Sequence, residues 1–142
     1  MAKKQTQKEL DLKVECALWF RNLRETNNRT FLPLFWDEHR YLVLKGGGGS
    51  GKSIFAGRKI LERAITEPGH RFLVCRKVAR TLRESCFKQL LGQLADFYPD
   101  SGYKANKSDL AISFRNGSEI IFAGLDDVEK LKSIYNLSLI HI

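Results

Sequence analysis

The sequence predicts an α/β fold in which helices cover a mainly parallel sheet, with a β-hairpin added towards the end of the chain. Apolar, β-prone runs at 41–44 and 71–75 each precede a segment with helical apolar spacing, at 54–66 and 78–97. Strands and helices that alternate in this way are typical of parallel sheets covered by helices. Further on, Asn116-Gly117 separates two β-prone runs, 110–115 and 118–122, which indicates a hairpin with a type I′ turn.

Three other segments complete the predicted order of elements. Residues 8–25 carry apolar side chains near one helical face, and the polar run 27–29 ends that helix. Residues 31–40 are an irregular, aromatic-rich lead-in that contains Pro33. Residues 126–132 are expected to form one short helical turn, with Asp126 or Asp127 as its N-cap.

Composition favours a folded domain with a polyanionic partner. The chain has 142 residues, of which 43% are hydrophobic and 11% aromatic, values typical of globular domains. Its net charge of +8 favours nucleic acid over membrane as the partner, although a basic surface can also serve solubility alone. The cysteines and histidines lack zinc-site spacing, and Cys75 and Cys86 are expected to be buried. The cysteine usage fits a reducing cytoplasm, where we expect the protein to lie, and neither a signal peptide nor a membrane-crossing run is seen.

The residues with the clearest chemistry lie between the first predicted strand and its helix. They match G-x-x-x-x-G-K-[ST], the Walker A pattern, and they are Gly46, Gly47, Gly48, Gly49, Ser50, Gly51, Lys52 and Ser53. Glycines let backbone N–H groups curl around an anion, because no Cβ blocks its approach. Lys52 is predicted to contact the phosphates of ATP, and the Ser53 hydroxyl to ligate Mg²⁺. The sequence therefore predicts a P-loop NTPase.

Two alternatives bear on this site. A Gly-Gly-Gly-Gly-Ser run also resembles a flexible linker, but a linker needs neither Gly-Lys-Ser behind it nor a β-prone run before it. The aromatic side chains Phe31, Phe35 and Trp36 either pack near the adenine or belong to the core, and the general behaviour of aromatic residues favours the core.

Residues 28–136 resemble the large subunit of tailed-phage terminases in the order and spacing of three blocks. The first is the Walker A run at 40–53, which many NTPases share. The second is Val-Cys-Arg-Lys-Val-Ala-Arg-Thr-Leu-Arg-Glu-Ser at 74–85. The third is Ile-Ile-Phe-Ala-Gly-Leu-Asp-Asp-Val-Glu-Lys-Leu-Lys-Ser at 120–133. The last two blocks distinguish this family from helicase-like or repair ATPases, the other P-loop class considered.

The resemblance implies the N-terminal ATPase domain of a motor that packages double-stranded DNA into proheads. It also implies a metal-dependent nuclease domain further along the parent chain, and the terminase small subunit and the portal as partners. Membrane is not among the partners expected. By this resemblance, the phosphate and Mg²⁺ site consists of Gly46, Gly51, Lys52 and Ser53.

This chain departs from the family pattern at one position of the loop. Many relatives have an arginine at this position, whereas this chain has Gly48. If that arginine senses the γ-phosphate, another residue must do so in this chain. Arg76, Arg80 and Arg83 are the nearest candidates, and their spacing suggests that they share one helical face. The alternative is a solvated basic face, or one that contacts the DNA backbone.

The end of the chain limits the functional prediction. ATP hydrolysis needs a Walker B strand that ends in acidic residues, and 137–142 is apolar without Asp or Glu. We therefore expect the fold to be incomplete at the C-terminus, with residues 137–142 non-native or truncated. The predicted domains are a helix and lead-in at 1–40 and a partial ATPase domain at 41–136. The alternative function is a nucleotide-binding fragment without turnover, although the intact parent would be an ATPase and an endonuclease.

Overall fold

The computed structural model describes Leu18, residues 20–98 and 102–134, and the backbone of residues 138–141. The chain divides into two compact units, Met1–Val43 and Leu44–Ile142. Most of the helix predicted at 8–25 lies outside the described residues, and its described part, Leu18 and residues 20–25, is helical. The domain bounds predicted from the sequence stay predictions.

The first unit contains a 3-10 helix, Arg29–Trp36, where the sequence predicted an irregular lead-in. Asn28 caps it by accepting a hydrogen bond from the Thr30 N–H. Phe35 is buried, as expected of a core aromatic, whereas the Trp36 side chain is 61% exposed. The Arg24 guanidinium lies 4.9 Å from the centre of the Trp36 ring.

The second unit is built on one mixed sheet. Its described strands lie in the order β2-β3-β4-β1-β5. Their bounds are Arg71–Arg76 for β1, Tyr103–Asn106 for β2, Ala111–Phe114 for β3, Glu119–Gly124 for β4 and Ser138–His141 for β5. Strand β1 is parallel to β4 and β5, while β2 with β3 and β3 with β4 are antiparallel. The sheet is thus mixed where a mainly parallel one was predicted, because the hairpin joins the sheet itself. Strand β2 was not predicted; most of its side chains are polar and exposed.

Helices flank these strands along the chain. Their bounds are Lys52–Thr66 for α1, Ala79–Leu82 for α2, Lys88–Phe97 for α3 and Val128–Lys132 for α4. A π turn, Arg83–Phe87, joins α2 to α3. The sequence predicted one continuous helix at 78–97, with Leu82 and Phe87 on its apolar face. In the π turn, residues five positions apart lie on the same face of the helix. Leu82 and Phe87 are five apart, and both side chains are buried.

Apolar side chains cover both faces of the two central parallel strands. Four consecutive residues of β1 are buried, from Phe72 to Cys75, as expected of a strand covered on both sides. On one face Phe87 packs edge-on against Phe122, with ring centres 5.2 Å apart. The side chains on the other face form a cluster, and they are Leu73, Cys75, Ile121 and Ala123, with Leu131 and Ile134 packed against them. This double cover agrees with the predicted α/β fold class.

Two local predictions are wrong. The run 41–44 is not a strand, and Tyr41 and Val43 are exposed. A strand needs a hydrogen-bonded neighbour, and no strand in the described part of the sheet pairs with this run. The β3–β4 hairpin is present, but its turn is not type I′, because Gly117 has a positive φ (84°) and Asn116 does not. Its loop of three residues, 115–117, ends with glycine in the left-handed conformation, the other common hairpin form.

Candidate nucleotide-binding site

The Walker A residues form a turn that leads directly into α1. Gly49 and Gly51 have positive φ angles of 72° and 85°, which only glycine adopts readily. Gly51 is the residue immediately before the helix, and the helix begins at Lys52. The N–H groups of the first helical turn have no partner within the helix, so this end of α1 attracts anions.

The Lys52 side chain folds back over this loop. Its Nζ donates to the Gly46 carbonyl oxygen at 2.9 Å, to the Gly47 carbonyl oxygen at 2.7 Å and to Ser50 Oγ at 2.7 Å. An ammonium group has three donors, so these acceptors satisfy it completely. The loop therefore holds its own lysine against its backbone.

The direction of α1 places the loop at the carboxyl ends of β1 and β4. The C-terminal carbonyls of α1, at Ala64 and Ile65, accept hydrogen bonds from Asn116, which immediately precedes β4. Strand β1 also starts just after this end of α1. At the other end of α1, the Ser53 carbonyl oxygen accepts a hydrogen bond from Gln89, which belongs to the helical segment that follows β1. The loop therefore lies towards the carboxyl end of that strand. Ligands of parallel sheets bind at that edge.

The second and third blocks of the sequence meet at this edge. In the register of β1 and β4, Arg76 lies opposite Gly124. A Cβ on Gly124 would lie 2.6 Å from Ala79 Cβ and closer still to the Ala79 nitrogen, so only glycine fits. The Asp126 carboxylate accepts a hydrogen bond from the Ala79 N–H at 3.0 Å. The backbone is thus closely packed where β1 leads into α2.

Asp126 and Asp127 both act as caps, but on different helices. Asp127 Oδ1 accepts from the Lys130 N–H at 3.1 Å and caps α4, in agreement with the prediction. Asp126 instead bonds the first residue of α2, across 47 positions of sequence. Both carboxylates are thus engaged with backbone N–H groups at helix N-termini.

Among the three candidate arginines, Arg76 alone lies in a strand. Its Nη1 donates to Ser85 Oγ at 2.8 Å, and Ser85 in turn donates to the Thr81 carbonyl oxygen. Arg80 lies in α2 and Arg83 in the π turn, and both are exposed. The expectation that these arginines share one helical face is wrong, because β1 ends at Arg76 before the helix begins.

Two further residues support the loop, and sequence analysis did not single them out. Gln89 Nε2 donates to the Ser53 carbonyl oxygen at 3.1 Å, which ties the first turn of α1 to α3. A Cβ on Gly57 would lie 3.0 Å from Leu90 Cδ1, so this glycine lets the two helices approach closely. The sequence feature that could have predicted this close helix–helix contact is a glycine in the middle of an amphipathic helix.

Cys75 is buried next to Arg76 but is not a reactive thiol. Burial raises its pKa, so the thiol stays protonated near neutral pH. Cys86 is also buried, as predicted. Within the part of the chain that the structure describes, no three His, Cys, Asp or Glu side chains form a metal-binding group.

Comparison with known proteins identifies the family. Residues 38–142 match the family model described as phage terminase large subunit. This match includes the Walker A loop, β1 and β4, which are the elements that meet at the candidate site.

The chain belongs to the phage terminase large subunit family. Over 105 residues it is 37% identical to the PBSX phage terminase large subunit of Bacillus subtilis (strain 168), covering 74% of this chain and 24% of that protein. Over 98 residues it is 39% identical to the terminase large subunit of Bacillus phage SPP1, covering 68% of this chain and 23% of the relative. This terminase sequence thus spans about a quarter of the length of these relatives.

The comparison with solved structures returned no match. Among the described residues of this terminase chain, no helix has the length and apolar character needed to span a membrane.

Proposed function

We propose that this chain is the ATP-binding portion of a terminase large subunit, the ATP-driven motor that packages double-stranded DNA into proheads. The supporting observation is the Lys52 ammonium, held inside a glycine loop at the N-terminus of α1. Family membership supports the packaging role, and the net charge of +8 suits DNA as a partner. The small subunit and the portal are proposed as further partners, and the host cytoplasm as the site of action.

The residues at the loop suit ATP and Mg²⁺. Glycines with positive φ leave the backbone N–H groups open to an anion, and the loop has no bulky side chain above it at Gly47, Gly48 or Gly49. Lys52 would bind the phosphates, and the exposed Ser53 hydroxyl would ligate Mg²⁺. The bound metal ion would supply positive charge that neutralises the phosphates.

The test of this proposal is MgATP binding by the wild-type chain and the Lys52→Ala variant, measured by titration calorimetry. We expect affinity to fall by at least about tenfold, because a hydrogen bond to a charged group contributes about 1.5–3 kcal/mol. Lys107→Ala is the matched control, since it removes one exposed positive charge from the β2–β3 loop. Equal affinities of wild type and Lys52→Ala would refute the assignment of the phosphate site.

We also propose Arg76 as the residue that senses the γ-phosphate. It lies at the carboxyl end of β1, and Ser85 fixes its guanidinium, whereas Arg80 and Arg83 are exposed. We expect wild type to bind ATP more tightly than ADP. Arg76→Ala should therefore reduce this preference for ATP, while Arg80→Ala should leave it unchanged. The same loss of preference for ATP in both variants, or no loss in either, would argue against Arg76.

A second candidate is a nucleotide-binding chain without turnover. It is favoured by Asp126 and Asp127, the carboxylates near this edge, because both are engaged as helix caps. Hydrolysis by the parent protein would then depend on carboxylates elsewhere in its sequence. Steady-state phosphate release distinguishes the two candidates: turnover that is lost in Lys52→Ala would exclude the second.

A further inference from the structure

The acceptors that hold Lys52 differ in kind. Two are the backbone carbonyls of Gly46 and Gly47, which any residues at these positions would supply. The third is the Ser50 hydroxyl, 2.7 Å from Nζ, in a pair that is partly buried. Ser50 is therefore the one side chain whose identity determines how firmly the described loop holds its lysine.

Backbone conformation directs this hydroxyl into the loop. Ser50 stands between Gly49 and Gly51, both with positive φ, in the turn and bend that lead into α1. A Cβ on Gly46 would lie 3.4 Å from Ser50 Oγ and 3.6 Å from Lys52 Nζ. The hydroxyl and the ammonium thus face Gly46 together, inside the curve that an anion would enter.

We propose that Ser50 is a positioning residue that stabilises the empty loop by holding Lys52, and that nucleotide binding breaks this contact. The inference rests on the proposed phosphate site. An arriving phosphate competes with neutral oxygen atoms for the ammonium, and hydrogen bonds between charged groups are the stronger ones. Each bond that must first be broken lowers the net affinity, so Ser50 limits how tightly the loop binds nucleotide.

The experiment compares MgATP affinity of the wild-type chain with that of Ser50→Ala and Ser50→Thr. Ser50→Ala should bind about threefold to tenfold more tightly; this is less than a fully buried hydrogen bond to a charged group would give, because the pair is partly exposed to solvent. Ser50→Thr keeps the hydroxyl and should bind as wild type does. Unchanged or weaker binding by Ser50→Ala would overturn the proposal, because the hydroxyl would then be neutral or helpful in the bound state.

A second measurement uses nucleotide-free protein, so that it does not depend on ATP binding. In urea unfolding, Ser50→Ala should raise the unfolding equilibrium constant about threefold to tenfold when Lys52 is present, and should have little effect in Lys52→Ala. Equal effects in both backgrounds would show that the two side chains are not coupled. If wild type binds no MgATP, the proposed function fails, whereas coupling in the empty protein tests the Ser50 contact by itself.

Discussion

Gly124→Ala is the substitution for which the structure gives the sharpest expectation. Gly124 ends β4 beside the start of α2, where an added Cβ would lie 2.6 Å from Ala79 Cβ and closer still to the Ala79 nitrogen and Asp126 Oδ1. Real Cβ atoms essentially never approach other atoms this closely. Because Gly124 does not have a positive φ, the cost is steric and does not come from backbone strain.

The magnitude follows from what must move. The obstacle includes backbone atoms, so β4 and α2 have to separate, which overpacked sites usually do at a cost of about 1–3 kcal/mol. Separation also breaks the bond from the Ala79 N–H to Asp126, and loss of a helix cap costs about 0.5–2 kcal/mol. We therefore expect Gly124→Ala to lower the free energy of unfolding by about 2–4 kcal/mol.

Urea unfolding followed by circular dichroism measures this change, with Gly92→Ala as the matched control. Gly92 lies in α3 with no atom within 4 Å of an added Cβ, so alanine there should be neutral or stabilise by up to about 1 kcal/mol. A loss of less than about 0.5 kcal/mol in Gly124→Ala, within the range of surface substitutions, would refute the close packing described at this edge.

Three other predictions concern the hairpin, the loop and the core. Asn116→Ala removes the hydrogen bonds to the Ala64 and Ile65 carbonyls, so the free energy of unfolding in urea should fall by about 1–3 kcal/mol. Asn116→Gln keeps the amide and should recover part of this loss. Equal stability of Asn116→Ala and wild type would contradict the capping role. Gly48→Arg should leave the melting temperature unchanged, because Gly48 has open space around it and no positive φ. Gly49→Arg should lower both the free energy of unfolding, by about 1–3 kcal/mol, and the melting temperature, because Gly49 has a left-handed backbone. Equal melting temperatures of the two variants would count against this loop conformation. Burial raises the pKa of Cys75, so its contribution to stability is full below the ordinary thiol pKa of about 8.5 and is lost as pH rises through the raised folded-state pKa. Above that ordinary pKa, wild type should therefore lose stability more steeply with rising pH than Cys75→Ala, and parallel pH curves would exclude this linkage.

Sequence alone predicted the features that depend on neighbouring residues. The Walker A pattern is one contiguous stretch, so its turn and the helix after it depend on local chemistry; that helix was predicted over 54–66 and begins at Lys52. The apolar runs likewise predicted β1 and the hairpin strands, because each strand carries its own pattern of burial. The predicted strand at 41–44 was wrong because an apolar run becomes a strand only when another strand pairs with it.

Sequence by itself thus determined the α/β class, the glycine loop and the family resemblance of this chain, since each depends on local pattern. Only the tertiary structure decided that Asp126 caps α2, that Ser85 holds Arg76 and that Asn116 caps α1. Asp126 and Asn116 reach partners 47 and 52 positions away in sequence. The physical reason is that a polar side chain bonds whichever partner packing brings within reach, and the register of β1 against β4 sets those partners.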